Sequence, residues 1–490
     1  MRNGGRKALV VIPLSKSIQY MFGLAAPLAW LFAGRADRVR GVYGHELSEA
    51  LIREHDTFIL ELCWFTALYE VGLLARYIKD VNPQAKVLIG GLYSQMAYHD
   101  LMAHYPIDYF IRGDNELPLA MFLDGEDPRD IPNFVGQDFE RPIEYLFNQK
   151  DFASLDFDLS WFPQYTTMID RFPTTDNQQY RVPMIITSRG GCAVPHRGCD
   201  YCMGARLKVM GKLYGRPVIS MDNDSLIHLI RKAERFGEFS IYVTSECDYD
   251  LTSIQCDAKV FIEIDGKVSA ERLRKIMYAF RRSELMIPVH SDGIMGGEIL
   301  ADCREIVALS DEHHVIKLVA YADEVAALGH IPDESLVYVL DTFLPEWSHY
   351  DVYSKWDQAV AVAKDRFAWV LWQLDKHGIV PRNKIYMKSH LRAVMGDHPA
   401  LRPGAVGMPI RSSVRTPSEG GGGVTSGTPE GRAFFLEARR AVPGLTLVLD
   451  RLDHAAAPTF ASRPAPGVDD AAPVGGGAVG GAVTAGATGR

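Results

Sequence analysis

The chain has 490 residues, 47% of them hydrophobic and 23% charged, the proportions of a globular protein with material for two or three domains. A formal net charge of -9 excludes a general electrostatic attraction to nucleic acid, so any phosphate-binding surface must be local. The seven cysteines are odd in number and three fall within Cys192–Cys202, which argues against a disulfide framework and for metal or catalytic use in a cytosolic setting.

At the N-terminus, Arg2, Arg6 and Lys7 precede an apolar run at 8–14, and a second run spans 23–34. Polar Ser15, Lys16, Ser17 and Gln19 separate the two. Neither reaches the roughly 20 residues of a membrane span, so the expectation is a cytoplasmic protein without membrane contact. Residues 1–125 alternate strand-like runs (8–12, 57–63, 86–89, 108–111) with helical spacing. The helix predicted over 68–81 carries Leu68, Val71, Leu74, Tyr77 and Ile78 on one face and stops at Asn82-Pro83. This is a doubly wound, Rossmann-like α/β pattern, whose ligands bind beyond the carboxyl ends of the strands, here the loops after Ile12, Cys63, Ile89 and Ile111.

Residues 126–180 lack a period and read as a linker packing on both neighbours. Residues 181–345 alternate again, with strands predicted at 184–187, 240–244, 260–264, 285–289, 316–319 and 337–340 and a helix at 269–280. Six strands with helices between them indicate a partial (β/α)6 barrel. Residues 346–400 form a helical segment dominated by an amphipathic helix over 356–377, with Gly378 as its cap and Pro381 beyond. Residues 401–490 are low in complexity and expected to be mostly disordered; an apolar patch at 433–449 has no assigned role.

The chemistry concentrates in Thr187-Ser188-Arg189-Gly190-Gly191-Cys192 and Cys199-Asp200-Tyr201-Cys202, directly after the first predicted barrel strand. A loop in that position is where such barrels place their chemistry. Soft thiolates select zinc, iron–sulfur clusters or copper(I). Three thiolates on a four-iron cluster leave one iron open to a ligand. Cys192, His196, Cys199 and Cys202 are equally a possible Cys3His zinc set. A loop of unligated cysteines is the bland alternative. Cys247, Cys256 and Cys303 are not excluded as further ligands by spacing.

A strand followed by Thr-Ser-Arg-Gly and three cysteines resembles the radical S-adenosylmethionine (radical SAM) superfamily. Its usual motif is Cys-x3-Cys-x2-Cys with an aromatic residue before the last cysteine. Tyr201 fills the aromatic place, and the Cys199–Cys202 gap is regular; the Cys192–Cys199 gap is six residues rather than three. The resemblance implies a 4Fe-4S cluster on Cys192, Cys199 and Cys202, with Tyr201 beside the adenine of S-adenosyl-L-methionine. By position, Thr244, Glu246 and Asp248 would meet the methionine amino group, Glu263 and Asp265 the ribose, and His290 and Ser291 the end of the fourth strand. The Gly-Gly-Glu at Gly296–Glu298 falls after the fourth strand and reads as coincidence.

Upstream, Cys63-Trp64-Phe65-Thr66, Gly90-Gly91-Leu92-Tyr93 and Ile111-Arg112-Gly113-Asp114-Asn115-Glu116 make residues 5–125 similar to the cobalamin-binding domain of one radical SAM class. That similarity implies cobalamin contacts at Thr66, Gly90, Gly91, Arg112 and Gly113. No Asp-x-His-x-x-Gly motif is present, so no histidine ligand to cobalt is expected, and His45, His99 and His104 read as surface residues. The activity implied is cleavage of S-adenosylmethionine to a 5′-deoxyadenosyl radical for cobalamin-dependent C-methylation of a small-molecule substrate, fed by an electron donor such as flavodoxin or ferredoxin. Non-methylating dehydratase, cyclase or rearrangement chemistry is the alternative; a zinc-stabilised binding protein is the outside one. No motif names the substrate, and its choice is assigned to the barrel mouth and the helices after residue 345.

Overall fold

The computed structural model describes residues 5–15, 24, 26–63, 65–91, 93–165, 182–189, 219–244, 249, 254, 256–265, 270–288, 309–321, 337–340, 356–387 and 389–390. The segments at 401–490 and 433–449 lie outside them.

The first sheet begins with β1 (Ala8–Ile12), β2 (Val39–Tyr43), β3 (Thr57–Glu61), β4 (Lys86–Gly90) and β5 (Tyr109–Ile111). All five are parallel, and their order β2-β1-β3-β4-β5 reverses direction at β1. Every residue of β1 and β3 is buried, as in a parallel sheet covered by helices on both faces. Those helices are α1 (Ala26–Leu31), α2 (Glu49–Glu54), α3 (Leu68–Val81), α4 (Ser94–His104) and α5 (Glu116–Leu123).

The sequence reading missed β2. Its run Val-Arg-Gly-Val-Tyr is broken by the exposed Arg40 and by Gly41. Gly41 is there for space: a side chain would begin 2.6 Å from the Trp161 ring and 2.7 Å from the Phe162 ring. The stretch read as a linker also contributes β6 (Phe134–Gly136) and β7 (Phe139–Glu140), which extend the sheet antiparallel from β5. Farther on, it packs in both directions. Trp161 lies 4.8 Å from Phe32, while Phe157 meets Phe236 at 6.0 Å and Asp156 pairs with Lys232 at 3.1 Å.

The second sheet comprises β8 (Met184–Ile186), β11 (Phe239–Thr244), β12 (Cys256–Asp265), β13 (Phe280–Pro288), β14 (His314–Tyr321) and β15 (Val337–Leu340). All are parallel and stand side by side in chain order, the arrangement of a partial barrel. The intervening short strands β9 (Ser188–Arg189) and β10 (Ile219–Ser220) pair antiparallel with each other. Among the helices are α6 (Asn223–Ala233), capped by the Asp222 carboxylate accepting from the Ser225 amide at 2.8 Å, and α7 (Ala270–Met277).

The helix α8 (Trp356–Lys376) returns to the first sheet, packing on α3 and on the turn Phe65–Ala67. Phe367 joins Tyr69 at 6.0 Å and Tyr386 at 5.4 Å, and Trp356 stacks on His104 at 4.8 Å. The segment after it is tied down by Asn383, whose amide donates to Gly44 O and Leu47 O, both at 2.9 Å. None of the helices among the described residues is long and apolar enough to cross a membrane.

Candidate functional site

The site of the first sheet forms where the loops after β1, β3, β4 and β5 meet. The loop after β1 is held from below: the amides of Leu14 and Ser15 both donate to the Glu70 carboxylate at 2.7 Å. Tyr386 donates its hydroxyl to the same carboxylate. Glu70 is fully buried in the first turn of α3. Burial pushes its carboxyl above the ordinary range, while the donors from Ser15, Tyr386 and Leu14 pull it back. Arg366 on α8 is held below its usual value by burial, and Glu70 opposes that shift. The predicted site residue Thr66 belongs to this scaffold, its hydroxyl donating to Ser15 O at 2.7 Å.

Gly91 fixes the contact between the loops after β3 and β4. Its φ of +116° lies in the region that favours glycine, and a side chain would strike the Leu62 carbonyl and come within 2.8 Å of the Cys63 nitrogen. Tyr93 closes the joint by donating to Leu62 O at 3.2 Å and Cys63 O at 3.1 Å. Above Gly90 the nearest atom to a side-chain position is the Asn115 amide nitrogen, 3.8 Å away. That clearance suits a flat ligand lying against the backbone, which is the requirement a corrin ring would impose.

The loop after β5 is clamped by Gln95 of α4, which sequence reasoning did not single out. Its amide accepts from Gly113 N at 2.7 Å and donates to Ile111 O at 3.1 Å. Arg112 turns toward the sheet edge, where its guanidinium meets the Glu140 carboxylate and Arg141 O. His45, expected at the surface, is 2% exposed. It follows β2 and packs between Tyr43 and Tyr386, each 6.3 Å away, because the segment after α8 covers it. His99 and His104 are exposed as expected.

In the second sheet the register places Ile186 opposite Tyr242, Thr244 opposite Asp265, and Glu263 opposite Met286. The chain leaves β8 toward Cys192, and leaves β11 toward Glu246, at this one carboxyl-terminal edge. Thr187 holds the exit by donating its hydroxyl to Tyr242 O at 2.8 Å. Cys192, His196, Cys199, Tyr201, Cys202, Glu246, Asp248, His290, Ser291 and Gly296–Glu298 lie outside the described residues, as do Cys247 and Cys303. Cys256 is placed, and it opens β12 at the opposite edge from Asp265. At about 3.3 Å per residue, the strand carries it roughly 30 Å from the carboxyl-terminal edge, so it is not a further ligand there. Burial pushes its thiol up to about 11, the state of an inert structural cysteine.

The two sheets meet at Arg189. Its guanidinium pairs with Glu116 and lies 3.5 Å from the Asp114 carboxylate, both in or just after the loop that follows β5.

No protein-family profile matches the chain, and no curated protein matches it. Among solved structures, the chain is similar to the cobalamin-dependent S-adenosylmethionine radical enzyme OxsB with aqua-cobalamin and S-adenosylmethionine bound. The identity is 12%, the TM-score 0.46, and the match covers 72% of this chain and 56% of OxsB. A second is the radical S-adenosylmethionine methyltransferase TsrM from Kitasatospora setae with cobalamin and a [4Fe-4S] cluster bound, at 15% identity and a TM-score of 0.41. That match covers 64% of this chain and 66% of TsrM. The chain thus spans just over half the length of OxsB.

Proposed function

We propose that this chain is a radical S-adenosylmethionine enzyme with a [4Fe-4S] cluster on Cys192, Cys199 and Cys202 and a cobalamin on its N-terminal sheet, and that it methylates carbon in a small-molecule substrate. The observation that carries the reading is the single edge of the second sheet. Six parallel strands in chain order bring the exit toward the three cysteines beside the ends of β11 and β12, where Thr244 and Glu263 stand. When bound, the two cofactors supply one-electron cleavage of S-adenosylmethionine and a methyl donor.

The chain's own residues do the rest. Cys192, Cys199 and Cys202 would hold the cluster, and Tyr201 would flank the adenine of S-adenosylmethionine. Thr244 and Glu246 would accept from its amino group and Glu263 from its ribose, with His290 and Ser291, after the fourth strand, as further contacts. Gly90 would allow a corrin its close approach, and Thr66, Gly91 and Gly113 hold the loops that would frame it. Arg112 braces the far side through Glu140. An electron donor such as flavodoxin or ferredoxin completes the cycle.

The test is anaerobic reconstitution of the full chain with iron and sulfide, then addition of cobalamin and labelled S-adenosylmethionine. A brown protein with iron–thiolate absorbance, which forms deoxyadenosine and loses both properties in Cys199→Ala, supports the reading. Zinc without iron in that preparation overturns it. Cluster formation without cobalamin binding overturns the methylation part and leaves the non-methylating radical chemistries.

A further inference from the structure

Arg189, just before the cysteine segment, meets Asp114 and Glu116, just after β5. Arg189 ends β9, three residues before Cys192. Its side chain is 17% exposed and faces two carboxylates, Glu116 at 13% and Asp114 at 4%. Aromatic rings complete the pocket: Phe147 lies 5.1 Å and Trp30 5.8 Å from the guanidinium carbon. The second Asp114 oxygen accepts from the Phe147 amide at 2.8 Å. The buried Asn133 donates to Asp114 O at 3.2 Å and thereby holds the loop's backbone. Every partner named here comes from the first sheet's helices and loops or the stretch that follows them, whereas Arg189 lies in β9, just after the first strand of the second sheet.

We infer that Arg189 is a positioning residue that registers the cysteine segment against the ligand edge of the upstream sheet. The inference rests on the function proposed above. Three arguments support it. The chain's reach confines the Cα of Cys192 to about 11 Å from that of Arg189, so fixing one bounds the other. The β9–β10 ladder pairs Arg189 with Ile219, so the segment between them leaves and returns at the same anchored point. Finally, an ion pair this buried returns little net stability after desolvation, and its best-attested use is to specify one arrangement among several. A planar guanidinium divided between two carboxylates and faced by aromatic rings specifies direction as well as distance, which a lysine does not.

The experiment uses the full chain, reconstituted anaerobically and loaded with cob(II)alamin, in parent form and as Arg189→Met, Arg189→Lys and Glu116→Gln. Iron content and cobalamin stoichiometry should match the parent in all three, because none of these residues is a ligand. The magnetic interaction between cob(II)alamin and the reduced cluster should report one narrow distance in the parent and a broadened one in Arg189→Met and Glu116→Gln. Cleavage of S-adenosylmethionine should fall by about ten- to a hundred-fold, with partial rescue in Arg189→Lys. Parent-like distance and rate in Arg189→Met overturn the inference.

A second measurement stands apart from the cofactors: hydrogen exchange of the unreconstituted chain. Arg189→Met should raise exchange together in 182–189 and in 111–118. Unchanged exchange in either segment overturns the inference even where iron and cobalamin bind. Joint loosening in a chain that takes up neither supports the junction and sinks the function reading alone. Should Arg189→Met fail to fold, the near-isosteric Glu116→Gln carries both measurements.

Discussion

The two sheets build their ligand edges by different rules. In the first, the strand order reverses at β1, and the crevice there is framed by backbone that the protein satisfies itself: Glu70 takes the amides of Leu14 and Ser15, Thr66 takes Ser15 O, and Gln95 takes Gly113 N. In the second, no reversal occurs, and consecutive strands deliver their ends to one rim. Its strands also carry more charge. Lys259 pairs with Glu284 at 3.1 Å and Arg281 with Asp257 at 3.3 Å along β12 and β13. A reversed order needs one well-built crevice, suited to a large ligand held against backbone. A sequential order shares the work among many strand ends, suited to a small ligand touched by several side chains.

The contrast can be broken. If the upstream edge is prebuilt, damage to it lowers stability in the protein without cofactors. Phe367→Ala removes the ring that α8 inserts between Tyr69 and Tyr386, and should cost about 3–5 kcal/mol in chemical denaturation. Gly91→Val should cost about 3 kcal/mol through its positive φ and its clash with the Leu62 carbonyl. Unaltered denaturation midpoints in both would remove the claim that this edge stands on its own.

Glu70→Gln places a donor where two amides already donate and should cost about 2 kcal/mol. It also changes the pH profile. The Glu70 carboxyl is raised in the folded protein, so its contribution is fully present below the unfolded value of 4.5 and is lost as pH rises through the folded value. That decline should vanish in Glu70→Gln; its persistence would assign the slope to another group. At the second rim, where the function proposed assigns Glu263 to the ribose, Glu263→Gln should shift stability by less than about 0.5 kcal/mol. The same change should weaken S-adenosylmethionine binding about ten-fold, read by equilibrium titration. A large stability loss there would make the two edges alike. Smallest of all, Arg281→Ala should cost no more than about 0.5 kcal/mol, because its pair with Asp257 is exposed.

Where apolar runs were continuous, the sequence located elements to the residue, as in β1, β15 and α3. It went astray where charge or brevity hid the pattern. β13 starts at Phe280, the last residue of the predicted helix 269–280, because Arg281 and Arg282 look like a helix's polar end and are instead exposed at the start of a strand. β12 begins four residues before its apolar centre, at Cys256, since Asp257 and Lys259 have partners on neighbouring strands or beyond them. The glycines at the end of β4 were legible as a point of close backbone approach, but the polar groups that hold the loops around them were not. Glu70, Gln95 and Tyr386 act across 18 to 316 residues of sequence, and no local period marks such partners. The spacing of the cysteines left cluster, zinc and unligated readings open until the resemblance was weighed, and Arg189 announced nothing until Asp114 and Glu116 appeared beside it.

The antiparallel pairing of Ser188–Arg189 with Ile219–Ser220 turns residues 190–218 into a cassette with a fixed neck. Because both ends of the cassette are set by the same ladder, its interior can lengthen or shorten without displacing a strand of the sheet. Lengthening a loop of that size by three residues adds only about 0.1 kcal/mol of closure entropy. A change of length there is therefore nearly neutral for the sheet, and the ladder is where a substitution should be felt.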